Sequence, residues 1–279
     1  MKDQLTILAM NTVEEIERIT ELEKQIWQTD TPMPVDQMLT AAKHGGIVLG
    51  AFVGERLVGF QYSFAGYNGQ KAYVCSHMLG THPDFRHMKI GEKLKWAQRE
   101  EALKLGYDLV TWTYDPLELV NGYLNIHKLG AVCSTYIENC YGNMQDSLNS
   151  GIASDRFQVE WHIRSERVAR RAKGELTPKA EIPKKFLMDW RTDIHNDPVP
   201  GKADWRQLQE NHVLYVPVPA YFQQIKRRNK PLAIAWREAA REVFARLFCE
   251  GWAVTDVIRN DKEAPVHFYV LHKKGECMV

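Results

Sequence analysis

Three basic side chains, Arg86, His87 and Lys89, crowd the centre of LGTHPDFRHMKIGEKL, residues 79–94. The stretch opens like the end of a strand, is broken by Pro83, and continues in a helical pattern. A turn that feeds a helix N-terminus exposes backbone N–H groups with no intrahelical partner, and the helix dipole adds positive potential there. Together these features favour an anion. Arg86 adds a bidentate, charge-assisted contact of the kind phosphate accepts, and Lys89 adds a point charge. The spacing therefore suits the holding of a phosphate or diphosphate. A plain strand–turn–helix with Arg86 and Lys89 in solvent is the competing reading. His77 stands two residues before Leu79, which regular alternation puts on one strand face. Its ordinary pKa of about 6.5 suits a general base near neutrality; a hydrogen-bonded sheet histidine is the alternative. Cys75 shares that face and reads as packing, since a thiol of pKa about 8.5 is a poor base. His82 and Asp84 read as residues that shape the turn.

These residues need a scaffold, and the elements can be read around them. Leu5–Met10 reads as a strand, and Thr12 with Glu15 forms a capping box before Ile16, Ile19, Leu22 and Ile26 at helical spacing. A second helix is predicted over Val35–Lys43. Residues 47–53 and 56–66 read as a hairpin across Gly54-Glu55, and 72–81 as a third antiparallel strand. A helix over 89–105 ends at Gly106, a strand follows at 107–114, a helix at 115–130 is entered through Asp115-Pro116, and 131–139 is another strand. The segment 140–156 is polar and turn-rich, 157–163 alternates as a strand, and the basic run Arg164–Lys173 reads as a helix. Residues 174–205 show few clear elements. A β-α-β-β order closes the chain, with strands at 212–219, 252–260 and 265–273 and a helix at 232–249. The fold class is mixed α/β, a sheet with helices on its faces.

Composition narrows the function classes. The chain has 279 residues, with 36 Lys and Arg against 35 Asp and Glu, a balance that argues against a general nucleic-acid binder. No apolar run approaches the roughly 20 residues that cross a bilayer, and the N-terminal residues have no signal-peptide pattern, so the expectation is a cytoplasmic protein that spans no membrane. The five cysteines, Cys277 among them, are scattered and read as reduced thiols, and the ten histidines form no metal-ligand motif. No metal is expected.

With the elements in this order, Leu79–Arg86 followed by Ile90-Gly91 and Leu94 resembles the coenzyme A signature of the GNAT acyltransferase superfamily, over roughly residues 3–140. Arg86 matches the first position of that signature and Gly91 the last; Lys89 stands where the first glycine is usual. The resemblance implies a central mixed, mostly antiparallel sheet flanked by helices, and the β-α-β-β order read beyond it stands as a C-terminal extension. It places an acyl-CoA-binding domain at 1–164 and the extension at 165–279. It implies an acyltransferase whose co-substrate is acetyl-CoA or another acyl-CoA, succinyl-CoA included. The thioester would lie beside a splay between the fourth and fifth strands, with the backbone of Leu79, Gly80 and Thr81 along the pantetheine arm. Arg86, His87, Met88, Lys89, Ile90, Gly91, Glu92 and Lys93 would hold the diphosphate. Asn121 and Asn125 would bond the pantetheine amides or simply face solvent.

His77 takes the place of the base. The tyrosine that commonly protonates the leaving thiolate is replaced by Ile126, which leaves Tyr123, one turn earlier, as the candidate acid or as helix packing. The basic run at 164–173 is either a solvated face or a site for a carboxylate or the 3′-phosphate of CoA. Trp112 and Tyr114 either line the acceptor side or belong to the core. The implied acceptor is a small-molecule amine or amino acid. A non-catalytic acyl-CoA sensor and a protein or peptide N-acetyltransferase stay open as alternatives, as does a homodimer.

Overall fold

The computed structural model describes residues 4–142, 151–176, 181–260 and 264–275. The chain divides into two compact units, Met1–Trp112 with His162–Arg164, and Thr113–Trp161 with Ser165–Val279.

The first unit begins with β1 (Leu5–Ala9), α1 (Val13–Trp27), α2 (Val35–Lys43), β2 (Ile47–Val53), β3 (Arg56–Tyr67) and β4 (Ala72–Thr81). A short 3-10 helix (Pro83–Met88) then leads into α3 (Ile90–Lys104) and β5 (Leu109–Tyr114). Its strands lie in the order β1-β2-β3-β4-β5. All neighbours are antiparallel except β4 and β5, which run parallel.

The predicted capping box forms: Glu15 N–H donates to Thr12 Oγ1 at 3.2 Å and Thr12 N–H to Glu15 Oε2 at 3.0 Å. Behind it Ile16, Ile19 and Leu22 bury against Phe60, Tyr62 and Met38 on one sheet face, each such side chain stabilising the fold by about 1.5–3 kcal/mol. Helix α3 covers the other face so closely that a Cβ on Gly59 of β3 would stand 2.6 Å from Ile90 Cγ2.

The second unit contains α4 (Leu119–Gly122), a π-helical turn (Tyr123–Lys128), β6 (Val132–Ile137), β7 (Arg156–His162), α5 (Glu166–Ala172), β8 (Met188–Thr192), β9 (Pro198–Ala203), α6 (Gln207–Glu210) and β10 (Val213–Pro219). It closes with α7 (Phe222–Arg228), α8 (Lys230–Cys249), β11 (Trp252–Ile258) and β12 (Val266–Lys273). Its main strands follow the order β7-β6-β11-β12-β10, all antiparallel, while β8 and β9 form a separate hairpin. Asn229 caps α8 through its side chain, and Trp236, Ala240, Val243, Phe244 and Leu247 turn inward. The core gathers around Phe157, whose ring centroid lies 4.8 Å from Phe244 and 5.4 Å from Tyr269. On the outer side of β10 the Tyr215 carbonyl accepts the N–H of Leu187.

The mixed α/β class holds, and three local expectations need correction. The helix expected over 115–130 is cut short because Asp115 Oδ1 accepts the N–H of Leu117 at 2.9 Å, a turn that delays helix entry, and because the helix then widens into a π turn. The 174–205 stretch carries the β8–β9 hairpin, whose prolines at 198 and 200 masked the strand pattern. Helix α7 was not foreseen. Most of the turn-rich segment at 140–156 and the Cys277 thiol lie outside the described residues.

Candidate active site

The first unit carries His77 on β4 and residues 79–93 along the end of that strand, the turn after it and the start of α3. The 3-10 helix closes on Lys89, which adopts the left-handed conformation at φ 54° and begins α3. A residue with a Cβ costs about 1–2 kcal/mol in that conformation, so the turn keeps its shape with a lysine where glycine would be easier. Among the described residues no side chain caps the start of α3, where Ile90 is buried and Gly91 half-buried. Arg86, His87, Lys89 and Lys93 are exposed around it, and Met88 and Glu92 are half-buried. The turn is pinned from behind. His82 Nδ1 takes the N–H of Asp84, His82 Nε2 lies 3.1 Å from Arg56 Nη2, and the Arg56 guanidinium covers the Phe85 ring. His82 and Asp84 thus shape the turn.

Gly91 and Gly80 are glycines for different reasons. A Cβ on Gly80 would strike the Phe60 ring at 2.5 Å, so packing requires that glycine. A Cβ on Gly91 would meet Leu79 Cδ2 at 3.6 Å and Thr81 Oγ1 at 4.0 Å, ordinary contacts that the fold tolerates.

Strands β4 and β5 pair only at Val74–Val110 and Cys75–Thr111 among the described residues, and β4 then runs on to Thr81. The His82 N–H bonds the Val58 carbonyl on β3. By strand alternation the backbone of Gly80 also points to β3, whereas that of Leu79 and Thr81 points away from it, along the open side of β4. The expected splay is therefore present, with Leu79 and Thr81 offering backbone groups to it and Gly80 turned toward the sheet.

A bulge corrects the placement of His77. Tyr62 pairs with Met78 and Ser63 with Ser76, so His77 is the extra residue on β4. Its ring lies 5.9 Å from Tyr62 and 5.8 Å from Phe64, on the α1 side, while Leu79 faces α3. His77 and Leu79 do not share a face. Partial desolvation by its surroundings lowers the His77 pKa, which favours the neutral, proton-accepting imidazole.

Sequence reading missed Lys95. On α3 it is 2% exposed; its Nζ donates to Ser76 Oγ at 2.9 Å and to Gln98 Oε1 at 3.0 Å and lies 3.4 Å from the centre of the Trp112 ring. Trp112 is thereby a core residue of this unit. The 90-94-98-102 spacing was the available signal, since it carries Gln98 inward with Ile90, Leu94 and Ala102.

Burial holds the Lys95 pKa well below the ordinary lysine value, and the thiolate form of Cys75 opposes that shift. The unfolded chain then binds a proton that the native state releases, so this residue's contribution to stability improves as pH rises from the folded pKa toward about 10.4. In urea unfolding from pH 7 to 10, wild type should therefore gain stability relative to Lys95→Met as pH rises. The Cys75 contribution is common to both proteins and cancels in the difference to first order. A pH-independent difference would mean that Lys95 keeps an ordinary pKa.

The remaining candidates belong to the second unit. The Tyr123 ring is stacked on His127 at 4.6 Å and covered by Arg259 at 3.8 Å, which fits helix packing. Asn121 is exposed and Asn125 buried, because the π turn moves them off the common face that α-helical spacing implies. Tyr114 is core, its hydroxyl 3.1 Å from that of Tyr269. In the basic run, Arg167 donates to the Gly130 carbonyl, Arg171 is buried near Asp256, and Arg170 pairs with Glu175. Most of this helix therefore stabilises its own unit.

No family model and no curated protein matches the chain. Among solved structures it is similar to a ribosomal-protein alanine N-acetyltransferase from Escherichia coli, at 13% identity and a TM-score of 0.47, over 58% of this chain and 96% of that one. It is similar, at 18% identity, a TM-score of 0.47 and the same coverage of each, to an acetyltransferase candidate from Salmonella typhimurium solved with acetyl-CoA. A GNAT-family acetyltransferase from Streptococcus pneumoniae matches at 15% identity and a TM-score of 0.44, over 56% of this chain and 98% of that one.

Proposed function

We propose that the first unit binds an acyl-CoA and that the protein transfers the acyl group, acetyl or succinyl, to the amine of a small molecule such as an amino acid. The observation that carries this reading is the start of α3, uncapped by any described side chain and flanked by the exposed Arg86, His87 and Lys89, after a strand whose partner has separated from it. The amides of Ile90 and Gly91, with the helix dipole, suit a diphosphate. Arg86 adds a charge-assisted contact. The outward backbone groups of Leu79 and Thr81 suit the amide-bearing pantetheine arm as an added strand, and an N–H at Leu79 is placed to stabilise charge developing on a thioester oxygen. The thioester supplies the activated acyl group. His77, neutral near pH 7, is the residue proposed to take the acceptor's proton.

The test is a thiol-release assay with acetyl-CoA and succinyl-CoA against a panel of amino acids and small amines. Calorimetry of CoA binding accompanies it, on wild type and Arg86→Ala. Loss of one exposed phosphate contact should weaken CoA binding about fivefold, roughly 1 kcal/mol. Unchanged affinity would remove Arg86 from the site.

A sensor that binds acyl-CoA without turnover is favoured by one observation: the fully buried Ile126 occupies the position at which the resemblance leads one to expect the acid. Tight CoA binding with no thiol release on any amine would select it.

A further inference from the structure

Lys95 stands where β4 and β5 part. The last parallel pair is Cys75 with Thr111, and the next in register would be Ser76 with Trp112. The Lys95 amino group touches both of them, Ser76 Oγ by a hydrogen bond at 2.9 Å and the Trp112 ring through its face at 3.4 Å. Gln98, three residues along α3, accepts a second bond at 3.0 Å and fixes the amino group in this position. The lysine reaches it from α3, whose Leu94 is fully buried, so the group is anchored by a packed helix rather than by a loop. Paired strands lie about 4.8 Å apart. At that spacing the Ser76 and Trp112 side chains would be immediate neighbours on one face, and the amino group now lodged between them would have to leave.

We propose that Lys95 is a wedge that stops the β4–β5 ladder at Cys75–Thr111 and so keeps the outward backbone groups of Leu79 available to a ligand. For the identity of that ligand, and only for that, the proposal rests on the acyl-CoA reading. Lys95 is in this sense a positioning residue: it acts on the arm of the ligand through the strand that the arm would join. Its hydrogen bond and its ring contact hold the two strands at their separation, and the helix that bears it also presents the diphosphate site at its start. One residue thus couples the two ends of the proposed binding cleft.

Amide hydrogen exchange of wild type and Lys95→Met, with no ligand present, tests the wedge directly. Without the amino group the ladder should extend past Ser76–Trp112, and protection of the outward-facing Leu79 amide should rise about tenfold or more. CoA affinity, measured in parallel, should fall about tenfold as the cleft closes. Unchanged exchange in Lys95→Met overturns the wedge whatever CoA does, and so does a lowered melting temperature with unchanged exchange, which marks a merely structural lysine. Raised protection in a protein whose wild type binds no CoA keeps the wedge and overturns the acyl-CoA reading instead. Should Lys95→Met not fold, Ser76→Ala removes one hydroxyl and the β4 anchor; protection of the Leu79 amide should then rise about threefold, and no rise overturns the proposal.

Discussion

Alanine at Gly91 should make the protein more stable and, at the same time, a weaker binder of coenzyme A. The two effects have separate causes. Gly91 lies in the first turn of α3 with no left-handed backbone angle, and a Cβ there meets only Leu79 and Thr81 at ordinary contact distances. Alanine is the better helix former by up to about 1 kcal/mol, so the melting temperature should rise by about 2–4 °C. The same methyl group would stand between the amides at the helix start and a diphosphate drawn up to them, and affinity should fall about tenfold, or about 1.4 kcal/mol. Thermal unfolding and calorimetry on the same preparation measure both. A variant that binds CoA as wild type does would remove these amides from the site. A destabilised variant would mean that the space around Gly91 is tighter than its neighbours indicate.

The largest effect on stability is expected in the second unit, at Asp115→Ala. Asp115 forms an ion pair with Arg237 of α8, whose side chain is 4% exposed, and its other oxygen holds the N–H of Leu117. Burial is the largest single influence and works against the Arg237 charge, but the Asp115 carboxylate, together with Tyr136 and Asp155, leaves the pKa raised. Among the described residues the Arg237 Nε and Nη1 groups are buried without a hydrogen-bond partner, so no hydrogen bond at these atoms takes over when the carboxylate goes. Breaking a buried pair from one side costs about 3–5 kcal/mol. The double variant Asp115→Ala, Arg237→Met should recover much of that loss, because it removes the stranded charge together with its partner. Urea unfolding of the two single variants and the double variant closes the cycle. If Asp115→Ala and Arg237→Met lose stability additively, the pair is not coupled.

What the sequence made legible was local. Thr12 and Glu15 specify their capping box within four positions, and Arg86, Lys89 and Gly91 lie inside one turn and the start of one helix, so their placement followed from short-range rules. What it hid depends on partners far along the chain. An extra residue in a strand leaves no mark in its own sequence; the bulge at His77 exists only in the register between β3 and β4, and it reverses which side the imidazole faces. A lysine in an amphipathic helix reads as solvent-facing, and Lys95 turns inward because Ser76 and Trp112, brought from two other strands, give its amino group partners. The arginines of α5 read as a charged surface, although Arg167 spends its guanidinium on backbone carbonyls at the end of the π turn.

Strand β10 ends the strand order of the second unit, and its sequence says how that boundary is kept quiet. Tyr215 directs its carbonyl outward to Leu187, so Pro217 and Pro219, of the same parity, also face outward. Neither imino acid has an amide hydrogen to give. Beyond Tyr215 the rim thus presents acceptors without the alternating donors that an incoming chain would need, which disfavours strand addition along that part of β10.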